Sequence, residues 1–137
     1  MNGPTAFTAA WADAWCRALN ESDAYRRAGA GWEGDVVLLM GAEGDAPARG
    51  VYLDLHHGAC RGARVATAAD LEAARFVMEG RPDVWRELLG GRTAPLMALM
   101  SGRLRLTRGD LVALVPFAGA AGELVATAVA MDSAFPA

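Results

Sequence analysis

The hydrophobic period of this chain switches from two to four and back again, and that switching narrows the fold more than any motif does. In Val51-Tyr52-Leu53-Asp54-Leu55-His56-His57, the residues Val51, Leu53 and Leu55 face one way, while Tyr52, Asp54 and His56 face the other. Alternation of this kind marks a strand with one wet face. Past Pro82 the spacing turns helical, with Val84/Leu88 and Trp85/Leu89 paired at i, i+4. At Arg103-Leu104-Arg105-Leu106-Thr107-Arg108 it returns to two, leucines in and arginines out.

The remaining segments fit around these. Over residues 5–20, Phe7, Trp11, Trp15 and Leu19 recur every four residues and predict one ridge of an amphipathic helix. Asn20-Glu21-Ser22-Asp23 breaks it and caps a short helix carrying Tyr25. Asp35–Met40 is an apolar run that reads as a strand buried on both sides, and Gly41 to Gly50 as a surface turn. Gly58 turns the chain into a third strand near Ala59–Thr67, and Ala74–Met78 is the candidate fourth. Thr93 is the expected cap of a helix with Pro95 in its first turn and Leu96, Met97, Leu99 and Met100 facing inward. Asp110 is placed to cap a final helical region that starts at Leu111. Helices and strands are segregated, which predicts an α+β fold with helices laid on one face of a mixed sheet. At 137 residues the chain suits a single domain, 1–137.

Charge decides which partners are excluded. The formal net charge is −3, and every basic residue is arginine. That is not the clustered positive field a nucleic-acid binder needs, so no nucleic acid is expected as partner. Cys16 and Cys60, without CxxC spacing, read as reduced thiols in apolar surroundings. The N-terminus lacks the basic and apolar regions of a signal peptide, so a cytoplasmic location is expected. Leu111 to Met131 approaches the length of a bilayer span, but Pro116, Gly119 and Gly122 interrupt it and Glu123 lies inside it. A central carboxylate costs about 2.5–3.5 kcal/mol on insertion scales, so a core-facing helix explains the stretch better.

The polar constellations point to little chemistry. Asp54, His56, His57 and Cys60 are ligand types, yet strand geometry sends His56 and His57 to opposite faces, so neither a metal nor another cofactor is expected. Asp54 and His56 share a face and could form a general acid–base pair, though on the solvated side. Gly41-Ala42-Glu43-Gly44 lacks the residues of a phosphate loop. Glu123 could meet a ligand head group or an arginine, or lie on a solvated helix face. The Phe7–Trp11–Trp15 ridge could allow at most transient membrane contact, with core packing the preferred reading.

A tryptophan-bearing helix (Trp85, Leu88, Leu89), a helix ending in Met97-Ala98-Leu99-Met100-Ser101-Gly102, the strand from Arg103, and Gly109-Asp110-Leu111 together resemble the sterol carrier protein family. The resemblance spans roughly residues 5 to 131. It implies a five-stranded, mostly antiparallel sheet with helices over one face. It further implies an apolar tunnel between the layers for a sterol, fatty acid, acyl-CoA or phospholipid, with no catalytic residue and no metal. The side chains expected to line that tunnel are Trp85, Leu88, Met97, Met100 and Leu104, followed by Leu106, Leu114, Phe117 and Leu124. Two rival functions remain open at this level. One is a small enzyme or enzyme subunit using Asp54, His56 or Glu123 in the same cavity; the other is a ligand-free homodimerisation module.

Overall fold

A computed structural model describes residues 4–132. The Phe7–Leu19 ridge comes first, and it explains how the layers meet. Helix α1 (Ala9–Glu21) starts later than the spacing suggests, because Phe7 takes a left-handed turn (φ 63°) and Thr8 caps the helix by accepting from the Trp11 N–H. Phe7, Trp11, Trp15 and Leu19 are all buried, which settles them as core. Trp11 lies between Phe7 and Trp15 in tilted contact at centroid distances of 4.9 and 4.8 Å, and Phe7 meets Trp85 edge-on at 5.4 Å. Close ring contacts, edge-on ones in particular, stabilise a core beyond the area they bury. Ser22 both ends α1 and caps α2 (Asp23–Ala28).

Strands β1 (Glu33–Met40), β2 (Arg49–His56) and β3 (Ala59–Val65) form an antiparallel meander, as the short connections predict. β4 (Phe76–Gly80) then lies parallel to β1 on its other side, and β5 (Leu104–Arg108) pairs antiparallel with β4. The sheet order is β3-β2-β1-β4-β5, so β1 is central. That explains its unbroken apolar run: Val36, Leu38 and Met40 join the main core, while Val37 joins a second cluster with Ala74 and Val77. β2 alternates as expected, with Val51, Leu53 and Leu55 buried and Tyr52, Asp54 and His56 only partly so.

The second cluster corrects the one-sided picture. Helix α3 (Ala68–Ala73) was not foreseen, since the third strand was expected to run to Thr67. Tyr52, Ala66 and Leu71 pack around the second cluster, so the face away from the main core is partly covered as well. The helix is fixed by a capping box in which Thr67 Oγ1 accepts from the Asp70 N–H (3.2 Å) and the Asp70 carboxylate accepts from the Thr67 N–H (2.9 Å). Asp70 is buried and ion-paired to Arg64 at 2.6 Å.

On the main face, α4 (Pro82–Leu89) has Pro82 in its first turn and buries Val84, Trp85, Leu88 and Leu89. α5 (Pro95–Met100) begins at Ala94 without a side-chain cap; Thr93 donates instead to Glu87 at 3.3 Å. Asp110 caps α6 (Leu111–Leu114) as expected, accepting from the Val112 N–H at 3.0 Å. The final region is not one helix, however. A 3-10 turn (Val115–Phe117) containing Pro116 separates α6 from α7 (Ala118–Ala130). α7 packs against α1, α2, α4 and α5 at the centre of the helical layer, and its Leu124 carbonyl accepts the Trp15 indole N–H at 3.1 Å. The stretch Leu111–Ala130 is long and apolar enough by composition to cross a membrane; here it is split between a half-exposed hook and a packed helix.

Candidate ligand-binding site

Where α7 and the 3-10 turn meet the end of the sheet, the two layers leave a small apolar pocket. Trp32 and Leu55 form its sheet wall and Tyr25 its α2 side. Leu114, Phe117, Ala120, Ala121 and Leu124 roof it. Alanines at successive α7 positions create the space, since a larger side chain would fill it. Phe117 closes edge-on upon Trp32 at 5.1 Å, and Trp32 leans on Phe76 at 5.1 Å. Two lining side chains carry a polar atom. The Trp32 indole N–H is already used, donating to the Gly34 carbonyl at 3.0 Å. The Tyr25 hydroxyl is pushed up to about 12 by burial, so the wall carries no charge at neutral pH. The volume is about 30 Å³, far below the roughly 300–1,000 Å³ of pockets that hold drug-sized ligands.

The hook above this pocket is unusually greasy on its outer side. Leu111, Val112 and Val115 are exposed, Val112 to 74%. Leu106 and Leu104 lie with Leu99 and Leu111 along a separate groove beside α6, rimmed by Arg105 and Asp110.

No family model and no curated protein sequence matches the chain. Solved structures do. A crystal structure of sterol carrier protein 2 shares 47% identity over 90% of this chain and 97% of that one, with a TM-score of 0.83. A solution structure from Thermus thermophilus shares 45% identity over 96% of this chain and 95% of its own, with a TM-score of 0.85. The chain belongs to the sterol carrier protein 2 family. The apo form from Yarrowia lipolytica, 16% identical with a TM-score of 0.59 over 85% of this chain, shares the fold.

Within this sterol carrier protein fold, the expected tunnel residues separate into four places. Leu114, Phe117 and Leu124 come together around the pocket. Leu104 and Leu106 line the neighbouring groove. Trp85 and Leu88 sit in closed core, where the Trp85 indole N–H donates to the Leu39 carbonyl at 3.0 Å. Met97 and Met100 point outward, 64% and 71% exposed. The inward orientation expected of them is therefore corrected: α5 buries Pro95 and Ala98, the small face that lets its backbone approach α7 and β5. Tyr25, Trp32, Leu55, Ala120 and Ala121 were not singled out as lining residues. The alternation of β2 already turned Leu55 inward, and the run Ala118-Gly119-Ala120-Ala121-Gly122 marked where a helix surface is shallow.

The polar candidates lie outside the pocket. Asp54 pairs with Arg61 across the hairpin at 3.1 Å, and His56 faces Glu33, so the two do not form an acid–base pair. Glu123 is half-buried beside Ala18, Glu21 and Ser22 in a groove of α1 and α7, where its backbone carbonyl accepts from Thr127 at 2.8 Å. Cys16 and Cys60 are free thiols, and burial pushes Cys60 up from its ordinary value. The assumption that strand alternation keeps His56 and His57 apart fails. His57 has left the strand, with φ 49°, and its ring meets that of His56 edge-on at 4.2 Å.

Proposed function

We propose that this member of the family is a non-enzymatic carrier that holds the hydrocarbon portion of a lipid, such as a fatty acid or acyl-CoA, beneath the α6–α7 hook. The observation that carries the reading is the pocket of Trp32, Leu55, Phe117 and Leu124, whose wall holds no ionisable group besides one phenol. An enzyme working there would need an acid, base or nucleophile in the wall, and Asp54, His56 and Glu123 all lie elsewhere. The family's namesake supports a lipid cargo, and a solved structure of the same fold from Aedes aegypti is that of a palmitated protein.

At about 30 Å³ the pocket is a seed for the guest and must enlarge to admit it. The hook is the element with least to lose by moving, because Leu111, Val112 and Val115 leave 38%, 74% and 54% of their surface exposed. Lifting it joins the pocket to the leucine groove of Leu104 and Leu106 and brings those exposed residues onto the guest. A dozen buried methylenes contribute on the order of 10 kcal/mol, before the costs of association and ordering are subtracted. Useful affinity therefore needs no charged clamp.

The test is a titration with a fluorescent fatty acid, comparing the natural chain with Ala121→Leu. Saturable binding to the natural chain is expected. The added isobutyl group fills the pocket, so affinity falls by about tenfold, or 1.4 kcal/mol, while the melting temperature holds or rises. Absence of saturable binding to the natural chain rejects the carrier reading. Unchanged affinity in Ala121→Leu rejects the pocket.

A further inference from the structure

Three ligand-type side chains converge at the opposite surface of the sheet end that walls the pocket. Glu33 opens β1, His56 closes β2, and the antiparallel register sets them directly opposite one another. His57 follows in a two-residue turn with Gly58, both at positive φ (49° and 84°). Two backbone carbonyls hold it there. Its N–H donates to the Trp32 carbonyl at 2.7 Å, and its Nδ1 lies 3.0 Å from the Ala30 carbonyl oxygen.

That second contact fixes the tautomer. A carbonyl oxygen only accepts, so Nδ1 carries the proton and the neutral ring presents a lone pair at Nε2. Nε2 faces one Glu33 oxygen at 3.9 Å, and His56 Nδ1 faces the other at 3.8 Å. His56 Nδ1 is shut off from solvent and has no hydrogen-bond partner among the described residues. The cluster thus gathers three ligand-type groups whose ligand atoms all lie within 4.8 Å of one another, one of them the buried, unpartnered His56 nitrogen. A proton on one nitrogen satisfies that nitrogen alone; a metal ion satisfies all three groups at once.

We propose that Glu33, His56 and His57 bind a divalent late-transition metal ion of the Zn²⁺ class, with a fourth position left to water. Zinc–nitrogen and zinc–oxygen bonds of roughly 2.0–2.1 Å place tetrahedral ligand atoms about 3.4 Å apart, so a set spread over up to 4.8 Å has to draw together by as much as about 1.4 Å. Glu33 and His57, whose side chains are 66% and 53% exposed, have the freedom to supply that movement. His57 already donates its second ring nitrogen to a backbone carbonyl, the outer contact that orients metal-bound imidazoles. The neighbouring cation, Arg75, is directed at the Glu33 backbone carbonyl (3.5 Å), which leaves the carboxylate to the histidines. The ion would tie the start of β1 to the β2–β3 turn, across the sheet from Trp32 and Leu55. This site is independent of the lipid reading.

The experiment uses tag-free, chelator-stripped protein titrated calorimetrically with Zn²⁺ alone, and with Cu²⁺ followed by electron paramagnetic resonance. One ion per chain is expected, with hyperfine coupling from two imidazole nitrogens. His57→Asn keeps a residue that accepts positive φ, and Glu33→Gln keeps the shape; each should weaken Zn²⁺ binding by at least about tenfold, and Glu33→Gln should do so without changing the metal-free melting temperature. Cys16→Ser should leave binding unchanged. No saturable uptake, equal affinity in His57→Asn and Glu33→Gln, or loss of binding in Cys16→Ser would each overturn the assignment.

Discussion

Asn20 shows how much one side chain can fix. Its amide donates to the Cys60 carbonyl at 2.9 Å and accepts the Cys60 N–H at 2.8 Å, so it pairs with the start of β3 as a neighbouring strand would. Asn20→Ala leaves both backbone groups without that partner, and we expect a loss of about 1–3 kcal/mol, measured by urea unfolding. Asp70 makes a pH-dependent contribution. Arg64, first, and then the Thr67 N–H hold its carboxyl below the usual carboxylate range. A depressed folded value means its stabilisation is complete above the unfolded carboxylate range, about pH 3.9, and is lost as pH falls through the folded value. The Asp70→Asn variant should be less stable at neutral pH and show a flatter acid limb; parallel acid limbs in urea midpoints against pH would contradict this. At this scale, legibility depended on neighbours. His57 was misread because alternation was carried one residue past the strand, although His57-Gly58 is the kind of pair that favours a left-handed two-residue turn.

At the scale of elements, those with a polar face were readable and those without were not. β2 and β5 carry polar residues opposite their inward apolar positions, Tyr52, Asp54 and His56 in one and Arg105 and Thr107 in the other, which orients them. α5 is apolar at every position from Pro95 to Met100, so no polar residue in its sequence sets its rotation; contact with α7 and β5 does. The short α3 was missed because six residues carry too little periodicity, yet the Thr67-x-x-Asp70 spacing of its capping box was present. Thr67→Ala should therefore cost about 1 kcal/mol, read as a fall in urea midpoint. Pro116 marks an interruption in the sequence, but because Leu111 to Val115 is apolar throughout, the α6 hook reads as the start of the same helical region as α7. With most of its apolar side chains exposed, this hook should open by local unfolding more easily than the sheet. Amide exchange should be faster over residues 111–117 than over β1, and slow exchange there would remove the proposed gate.

Taken whole, the molecule is a mixed sheet whose central strand is buried on both sides and whose main helical layer turns about α7. Segregation of helical and strand periods made that architecture legible, and the Trp85 to Leu111 segment made the family legible. The location of the pocket was not, because it depends on where bulky side chains are missing. Trp85 and Leu88 are as apolar as Leu124, but Phe7 closes on Trp85 and Leu88 is fully buried, whereas Ala120 and Ala121 leave room beside Leu124. A sequence lists the groups that avoid water; the space between them is set only when layers meet. The central claim is that this space accepts a hydrocarbon chain. Nuclear Overhauser contacts between ¹³C-labelled palmitate and the protein test it most directly. Contacts from the acyl methylenes to Trp32, Leu55, Phe117 and Leu124 are predicted, and contacts confined to the outer faces of α5 and α6 would contradict it.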